Sequence, residues 1–355
     1  MSSTSVAPMP VVAHAEGRLP SPRELRSRFP VPPRLGASIA RVRREIGDIL
    51  RGHDPRLLLI VGPCSIHDPE AAVEYAHRLR PLAETHAREL LVVMRTYVEK
   101  PRSRDGWKGL LNDPGLDGSC DAARGLGVAR SLLRAIGQAG LPCASELLDP
   151  LAARYLVDLL SWGAVGARTV ESQPHRELAS GLGLPVGFKN GTDGDLGVAF
   201  DAVETARRPH SFLGIDAGGT ACLVRTAGNP DAHVVLRGGG GVPNYDAECV
   251  AWASTRARKG GLRRPLVIDC SHGNSGKNHR VQGAVCRAVL SQVRAGQEAI
   301  AGLMLESNLE PGAQPWTPGH RSRPRPGVSL TDPCIGWNET RDLLEEIAAA
   351  VKTKT

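Results

Sequence analysis

The chain has 355 residues, of which 41% are hydrophobic, so it can bury one large core or two ordinary ones. Its formal charge of +7 permits a polyanionic partner, but the basic residues are mostly dispersed and only 4% of residues are aromatic, which argues against nucleic-acid binding. The eight cysteines show no CxxC spacing and no apolar run reaches membrane-spanning length, so we expect a cytoplasmic protein without a disulfide framework or a membrane partner.

Residues 1–35 are rich in proline, serine and arginine and show no sustained hydrophobic period. They are predicted to form a flexible N-terminal arm or a packing extension. Apolar residues then recur at helical spacing between Ala37 and Leu50, which predicts a first helix. We expect residues 36–355 to form a single catalytic domain.

Beyond this helix, short runs rich in aliphatic residues alternate with amphipathic stretches. The predicted strands are 57–64, 90–95, 142–146, 164–168, 185–189, 234–237, 265–272 and 302–307. Such alternation is typical of a parallel sheet with crossover helices, and eight strands favour an α/β fold of the (β/α)8 TIM-barrel type. Two further apolar runs around a Gly-Gly turn, at 211–215 and 221–225, predict a β-hairpin inserted before strand 6.

Each predicted strand ends in or near a polar or metal-capable side chain. These residues are Cys64, Arg95, Glu146, Arg168, Lys189, Arg237, His272 and Glu306. Read alone, any one of them is best explained as a solvated group at a strand end. Because barrel enzymes carry their functional groups at the C-terminal strand ends, eight together predict one functional mouth.

Five cations near these ends form a predicted anion cage: Arg95, Lys100, Arg168, Lys189 and Arg237. So much positive charge in a cleft is expected to require an anion of high charge, since unpaired buried cations are costly. Guanidinium groups bind phosphate or carboxylate through two hydrogen bonds. Phosphoenolpyruvate, which carries both groups, fits this cage.

A second set of residues offers metal ligands: Cys64, His272, Glu306 and, in the loop after strand eight, Asp332. One thiolate, one imidazole and two carboxylates suit one divalent ion such as Mn, Fe, Co or Zn, and they do not choose among these metals. The ligands are far apart in sequence, so this prediction depends on the barrel.

Long segments of the chain resemble the type I 3-deoxy-D-arabino-heptulosonate 7-phosphate (DAHP) synthases. The matching segments are GPCSIHDP at 62–69, MRTYVEKPRSRDGWKGLLNDP at 94–114, SWGAVGARTVESQPHRELASGL at 161–182, VGFKNGTDG at 186–194, LRGG at 236–239, DCSHGNSGK at 269–277 and SLTDPCIGWNET at 329–340. The resemblance implies the aldol-type condensation of phosphoenolpyruvate with erythrose 4-phosphate and water, the first step of the shikimate pathway. It also implies a homodimer or homotetramer.

The resemblance also implies roles for individual residues. Cys64, His272, Glu306 and Asp332 match the metal ligands. The matching phosphoenolpyruvate site comprises Arg95, Lys100, Glu146, Arg168, Lys189 and Arg237. The matching erythrose 4-phosphate site comprises Arg102, Ser103 and Asp332. Lys100, His272 and Cys64 are the catalytic candidates, and the sequence leaves open whether Lys100 or His272 transfers protons.

The chain departs from the family pattern in three places. The hairpin segment IDAGG at 215–219 lacks a lysine that the family usually carries, and GGGG at 238–241 lengthens the loop after Arg237. Glycines at 183 and 214 replace serines of the family's effector pocket, and Arg154 stands at a polar position of that pocket. We therefore expect weak or no inhibition by aromatic amino acids, which would suit a pathway of specialised metabolism.

One pairing and two other functions remain open at this point. Cys334 resembles a cysteine near the metal, and it is either a disulfide partner for Cys64 or an inert thiol. The same chemistry on a different aldose phosphate is one alternative function, and the KPRS segment at 100–103 argues against it. A non-catalytic regulatory barrel is the other, and it predicts broken ligands, whereas all four are present.

Overall fold

Eight parallel strands close into a barrel in a computed structural model that describes residues 17–102, 106–258, 261–317 and 323–352. The barrel strands are β1 Leu57–Gly62, β2 Leu90–Arg95, β3 Cys143–Glu146, β4 Leu160–Val165, β5 Val186–Lys189, β8 His233–Leu236, β9 Leu266–Asp269 and β10 Ile300–Glu306. Neighbours along the chain pair in this order, and β10 pairs back to β1, with Glu306 beside Gly62. The predicted fold class is confirmed.

An antiparallel hairpin, β6 Ser211–Ile215 and β7 Ala221–Arg225, lies between β5 and β8, as predicted. Helices occupy the crossovers. They are α1 Pro22–Arg28, α2 Pro33–Arg51, α3 Pro69–Thr85, α4 Ala122–Gln138, α5 Pro150–Leu156, α6 Gln173–Ala179, α7 Gly197–Ala206, α8 Ala247–Arg258, α9 Gln282–Arg294 and α10 Trp337–Lys352. Within the described residues, no helix combines the length and the apolar character needed to cross a bilayer.

The barrel interior is filled by side chains rather than open. Ile60, Val93, Trp162 and Met304 belong to one buried cluster, which also contains residues of α2 such as Ile46. α2 therefore closes the end of the barrel at which the strands begin. This leaves the carboxyl ends of the strands as the open end, where barrel enzymes place their sites.

The region predicted as an arm contains α1, which starts with a capping box between Ser21 and Glu24. The backbone N–H of Arg23 donates to the carbonyl of Ala217 at 2.8 Å, in the hairpin turn. Arg26 donates to the carbonyl of Arg154 at 2.6 Å, at the end of α5. The described part of the arm thus packs as an extension against α5 and the hairpin, and the domain boundary at residue 35 stays a prediction.

Candidate active site

Three metal-capable side chains meet where β1 and β10 end. Ligand atoms of Cys64, Glu306 and Asp332 all lie within 4.8 Å of one another. Cys64 and Glu306 follow the paired strands β1 and β10, so the barrel register places them side by side. Asp332 comes from the loop after β10, which is tied back by the N–H of Ile335, 2.9 Å from the carbonyl of Glu306.

His272 lies next to this cluster with its Nε2 3.4 Å from Glu306 Oε1. Its Nδ1 is 2.9 Å from Asp269 Oδ2, and a proton on Nδ1 leaves the Nε2 lone pair for a metal ion. The backbone of His272 has φ of 51°, a left-handed conformation that side chains with a Cβ rarely adopt. Such strain is typical of functional positions, where the surrounding structure enforces it.

Several of the predicted cage cations are paired with acidic groups of the site itself. Lys100 Nζ is 2.9 Å from both Cys64 Sγ and Asp332 Oδ2. Arg95 is fully buried and donates to Glu306 at 2.8 Å, and Lys189 donates to Asp269 at 2.9 Å. Part of the positive charge of these cations is therefore balanced by acids that share the mouth, and binding of a substrate anion by the predicted cage stays a prediction.

The remaining predicted residues differ in placement. Arg237 is buried at the end of β8, and its N–H is held by the side chain of Asn190 at 2.9 Å. The loop that follows is braced by Asn244, whose Oδ1 accepts from Gly238 N–H at 2.8 Å, so the extra glycine leaves this wall tied down. Arg168 and Arg102 are exposed near the mouth, whereas Ser103 lies outside the described residues.

Burial and neighbouring charges set the ionisation of the cluster. Burial, reinforced by Glu306, raises the pKa of the Cys64 thiol to about 11. Burial alone would raise the pKa of Glu306 and of Asp332, but His272 and Arg95 beside Glu306, and Lys100 and His272 beside Asp332, lower the pKa of each. The site thus presents two carboxylates and a thiol that only a strong positive charge beside it would ionise.

Asp269 is a functional candidate that the sequence analysis missed. It is fully buried at the end of β9 and contacts Lys189, His272 and Ser271. Burial alone would raise its pKa, but the charges of His272 and Lys189 hold that pKa well below its usual range. Its position at a strand end was the available signal, which we assigned to His272 three residues later.

Glu146 lies at the end of β3, at the edge of the mouth, where the backbone of Gly166 approaches its carboxylate. A Cβ added at Gly166 would lie 2.1 Å from Glu146 Oε1, so a side chain there would displace the Glu146 carboxylate. Glu99 is buried nearby, and burial together with Asp149 raises the pKa of its carboxyl to about 8. Glu99 is therefore largely protonated at neutral pH.

Two of the three predicted effector positions, Arg154 and Gly214, line a small cavity of about 50 Å³ between α5, α6 and the hairpin. Its lining includes Pro150, Arg154, Leu178, Phe212, Gly214 and Val224. Its walls are apolar apart from one arginine, and a space of about 50 Å³ would have to widen to hold an aromatic ring. Gly183, the other predicted position, adopts φ of 66°, a conformation that favours glycine.

The structure also describes two other predicted features, the Cys64–Cys334 pair and the hairpin turn at 215–219. Cys64 and Cys334 are both free, buried thiols, and their disulfide pairing stays a prediction. The hairpin turn that lacks the family's lysine lies against α1, where Asp216 Oδ1 accepts from Gly218 and Thr220 N–H groups.

Comparisons with known proteins agree on one family. Residues 32–345 match the model described as the DAHP synthetase I family. The chain is 52% identical to the Tyr-sensitive phospho-2-dehydro-3-deoxyheptonate aldolase of Escherichia coli, covering 93% of this chain and 92% of that one. It is 50% identical to the Phe-sensitive enzyme of the same organism, covering 94% of each. A solved aldolase of the same name from Francisella tularensis superposes with a TM-score of 0.92 at 42% identity, covering 97% of this chain and 99% of that one.

Proposed function

Since the chain belongs to the DAHP synthetase I family, we propose that its barrel mouth holds one divalent metal ion between Cys64, His272, Glu306 and Asp332 and joins phosphoenolpyruvate to erythrose 4-phosphate there. The chain is a 3-deoxy-7-phosphoheptulonate synthase, a transferase of aromatic biosynthesis. The observation that carries the site assignment is the convergence of Cys64, Glu306 and Asp332 around the ammonium of Lys100.

The donor set fits a transition metal. A thiol, an imidazole and two carboxylates lie together at one point, and a bound cation would keep the thiol ionised, as a thiolate ligand requires. Asp269 supports the set by fixing the ring of His272 through Nδ1. When bound, the metal would supply Lewis acidity to the aldehyde oxygen of the sugar phosphate.

The reaction forms one carbon–carbon bond and releases phosphate. The double-bond electrons of phosphoenolpyruvate form a bond from C3 to the aldehyde carbon, whose oxygen takes up a proton. Water then adds at C2 and loses a proton, which leaves a hydroxyl and the phosphate on the same carbon. The C2–O bond to phosphate breaks as the hydroxyl oxygen forms the C2 carbonyl and passes its proton to the departing phosphate. Arg168, Lys189 and Arg237 would bind the phosphate and carboxylate of phosphoenolpyruvate through charge-assisted hydrogen bonds.

Lys100 is the group best placed to donate a proton or to stabilise a negative charge. Burial alone would lower its pKa, but the neighbouring Cys64 and Asp332 raise it overall, so the ammonium stays protonated at neutral pH. A protonated lysine beside the metal ligands would stabilise negative charge that develops on the aldehyde oxygen. Arg102 and Ser103 are assigned to the phosphate of erythrose 4-phosphate by the family resemblance.

The comparisons give no support to the two alternative functions, a different aldose phosphate or a non-catalytic barrel. We propose a cytoplasmic enzyme that acts as a homodimer or homotetramer.

The test is an assay of phosphoenolpyruvate consumption with erythrose 4-phosphate, before and after chelation by EDTA. Activity should disappear on chelation and return when Mn, Fe, Co or Zn is added back. Turnover that survives complete removal of metal would contradict the metal proposal. A five-carbon aldose phosphate that reacts faster than erythrose 4-phosphate would contradict the substrate.

The names of the relatives bear on whether aromatic amino acids inhibit this enzyme. The relatives are named Tyr-sensitive and Phe-sensitive, which counts against our prediction of weak or absent inhibition. We propose instead that an aromatic amino acid inhibits the enzyme from the cavity between α5, α6 and the hairpin, with its ring against Leu178 and Phe212. Titrating activity with phenylalanine, tyrosine and tryptophan tests this, and full activity at saturating amounts of all three would overturn it.

A further inference from the structure

A second cavity lies at the opposite end of the barrel from the mouth. It has a volume of about 400 Å³ and sits between α7 and α8, below the starts of β8 and β9. His233, the first residue of β8, and Pro265, which precedes β9, form its floor. Because parallel strands begin at one rim and end at the other, this cavity is separated from the catalytic mouth by the length of the barrel.

The charge of the cavity lining is predominantly positive. Arg207, Arg208 and Arg256 line it, and Glu204 is the one acidic residue among the lining side chains. Glu204 is paired with Arg208, one turn along α7, and both are exposed. Burial lowers the pKa of Arg207, and the neighbouring Asp231, which is not a lining residue, partly offsets this.

The other half of the lining is apolar. Phe200, Val234 and Leu262 are buried lining residues. The Arg256 guanidinium carbon lies 6.0 Å from the centre of the Phe200 ring, so a cation and an aromatic face stand together. A cavity of this volume is at the size of known small-molecule sites, which combine apolar walls with a few placed polar groups.

We propose that this cavity binds a small aromatic carboxylate that carries no amino group. The ring would pack against Phe200 and Leu262, and the carboxylate would face Arg207 and Arg256. The lining offers three guanidinium groups and a single carboxylate that is already paired, so an ammonium group would be repelled there. This distinguishes the site from the effector cavity, which we expect to take amino acids.

The test is calorimetric titration of the full chain with 3-phenylpropionate, which is phenylalanine without its ammonium group. Binding should persist when phosphoenolpyruvate saturates the mouth and phenylalanine saturates the effector cavity. Arg256→Gln should weaken binding about tenfold, the usual scale for losing a charge-assisted contact. The matched control is Arg287→Gln, which removes an exposed arginine of α9 and should leave the affinity unchanged.

Three outcomes of the titration with 3-phenylpropionate would overturn the proposal. They are no binding at millimolar ligand, displacement of the ligand by phosphoenolpyruvate or phenylalanine, and equal affinity in Arg256→Gln. A second titration with inorganic phosphate distinguishes a site that binds an aromatic ring from a site that binds any anion. Phosphate that binds as tightly as 3-phenylpropionate would contradict the aromatic class of the ligand, whereas weaker phosphate binding supports it.

Discussion

Cys64 tests the metal site at the scale of a single residue. Its sulfur is fully buried 2.9 Å from Lys100 Nζ, so Cys64→Ser changes the donor atom while nearly keeping its size. Because a serine hydroxyl does not ionise near neutral pH, we expect loss of bound metal and a fall in kcat of at least about 100-fold. Metal content after dialysis and steady-state kinetics measure the two effects.

The matched control for this variant is Cys120→Ser, which alters an exposed cysteine and should change neither quantity. A Cys64→Ser protein that keeps one metal ion per chain would remove Cys64 from the ligand set.

Asp269 gives a second test at this scale, because it acts through its neighbours. Asp269→Asn keeps the shape of the side chain but removes the negative charge that faces His272 Nδ1 and Lys189. We expect metal affinity to fall about 10–100-fold, the usual effect of losing such a supporting carboxylate. The check is to titrate the metal-free variant with metal and to monitor activity. Excess metal should restore part of kcat. Affinity equal to that of the unchanged chain would show that His272 needs no support from Asp269.

The residues themselves could be predicted as far as their strand ends allowed. Cys64, Glu306 and Arg95 were found because each follows an aliphatic run. The pairing of Lys100 with Asp332 was not predictable, since it joins loops 232 residues apart. Which cation would face which acid depends on barrel register, and no local pattern encodes register between distant strands.

The elements show the same division. Most barrel strands were predicted within a few residues, because burial on both faces produces continuous apolar runs. The fourth strand was placed late, at 164–168 instead of Leu160–Val165, because Ser161, Trp162 and Gly163 interrupt the aliphatic pattern.

α1 offers a prediction at the scale of an element. Its capping box starts a helix that braces both the hairpin turn and α5, two walls of the effector cavity. Ser21→Ala should weaken α1 by about 1 kcal/mol, a typical cost of losing such a cap. We therefore expect the inhibition constant for the aromatic effector to rise up to about fivefold with kcat unchanged.

Inhibition curves for Ser21→Ala and for Ser291→Ala, an exposed serine of α9, provide the comparison. Identical curves for the two variants and the unchanged chain would show that α1 does not stabilise the effector cavity. This test presupposes that the enzyme is inhibited at all, which the amino-acid titration establishes first.

At the scale of the whole molecule, two buried histidines link stability to pH. His233 is fully buried, and its Nε2 accepts from Trp162 Nε1 at 3.1 Å in the barrel interior. Burial lowers its pKa to about 4, and burial likewise lowers the pKa of His67 to about 4. Protonation would place an unsolvated charge in the core and, at His233, would remove the acceptor for the tryptophan.

The sign of the effect follows from these pKa values. Histidines in the unfolded chain take up protons below about pH 6.5, whereas these two stay neutral in the folded protein until about pH 4. At these two sites the unfolded state therefore binds more protons in this window, so their contribution to the free energy of unfolding falls as the pH falls. Glu99, whose folded pKa is about 8, contributes in the opposite direction. Between pH 6.5 and 5 we expect a loss of about 1.5 kcal/mol for each histidine.

Urea unfolding at a series of pH values measures this loss, and variants assign it. His233→Asn should lessen the loss of unfolding free energy between pH 6.5 and 5 by about 1.5 kcal/mol, whatever it does to absolute stability, because asparagine does not titrate. His77→Asn, which alters an exposed histidine of α3, should leave the slope unchanged. A slope that His233→Asn does not reduce would mean that His233 is protonated at the same pH in both states, and the barrel interior would then have to solvate a charge next to Trp162.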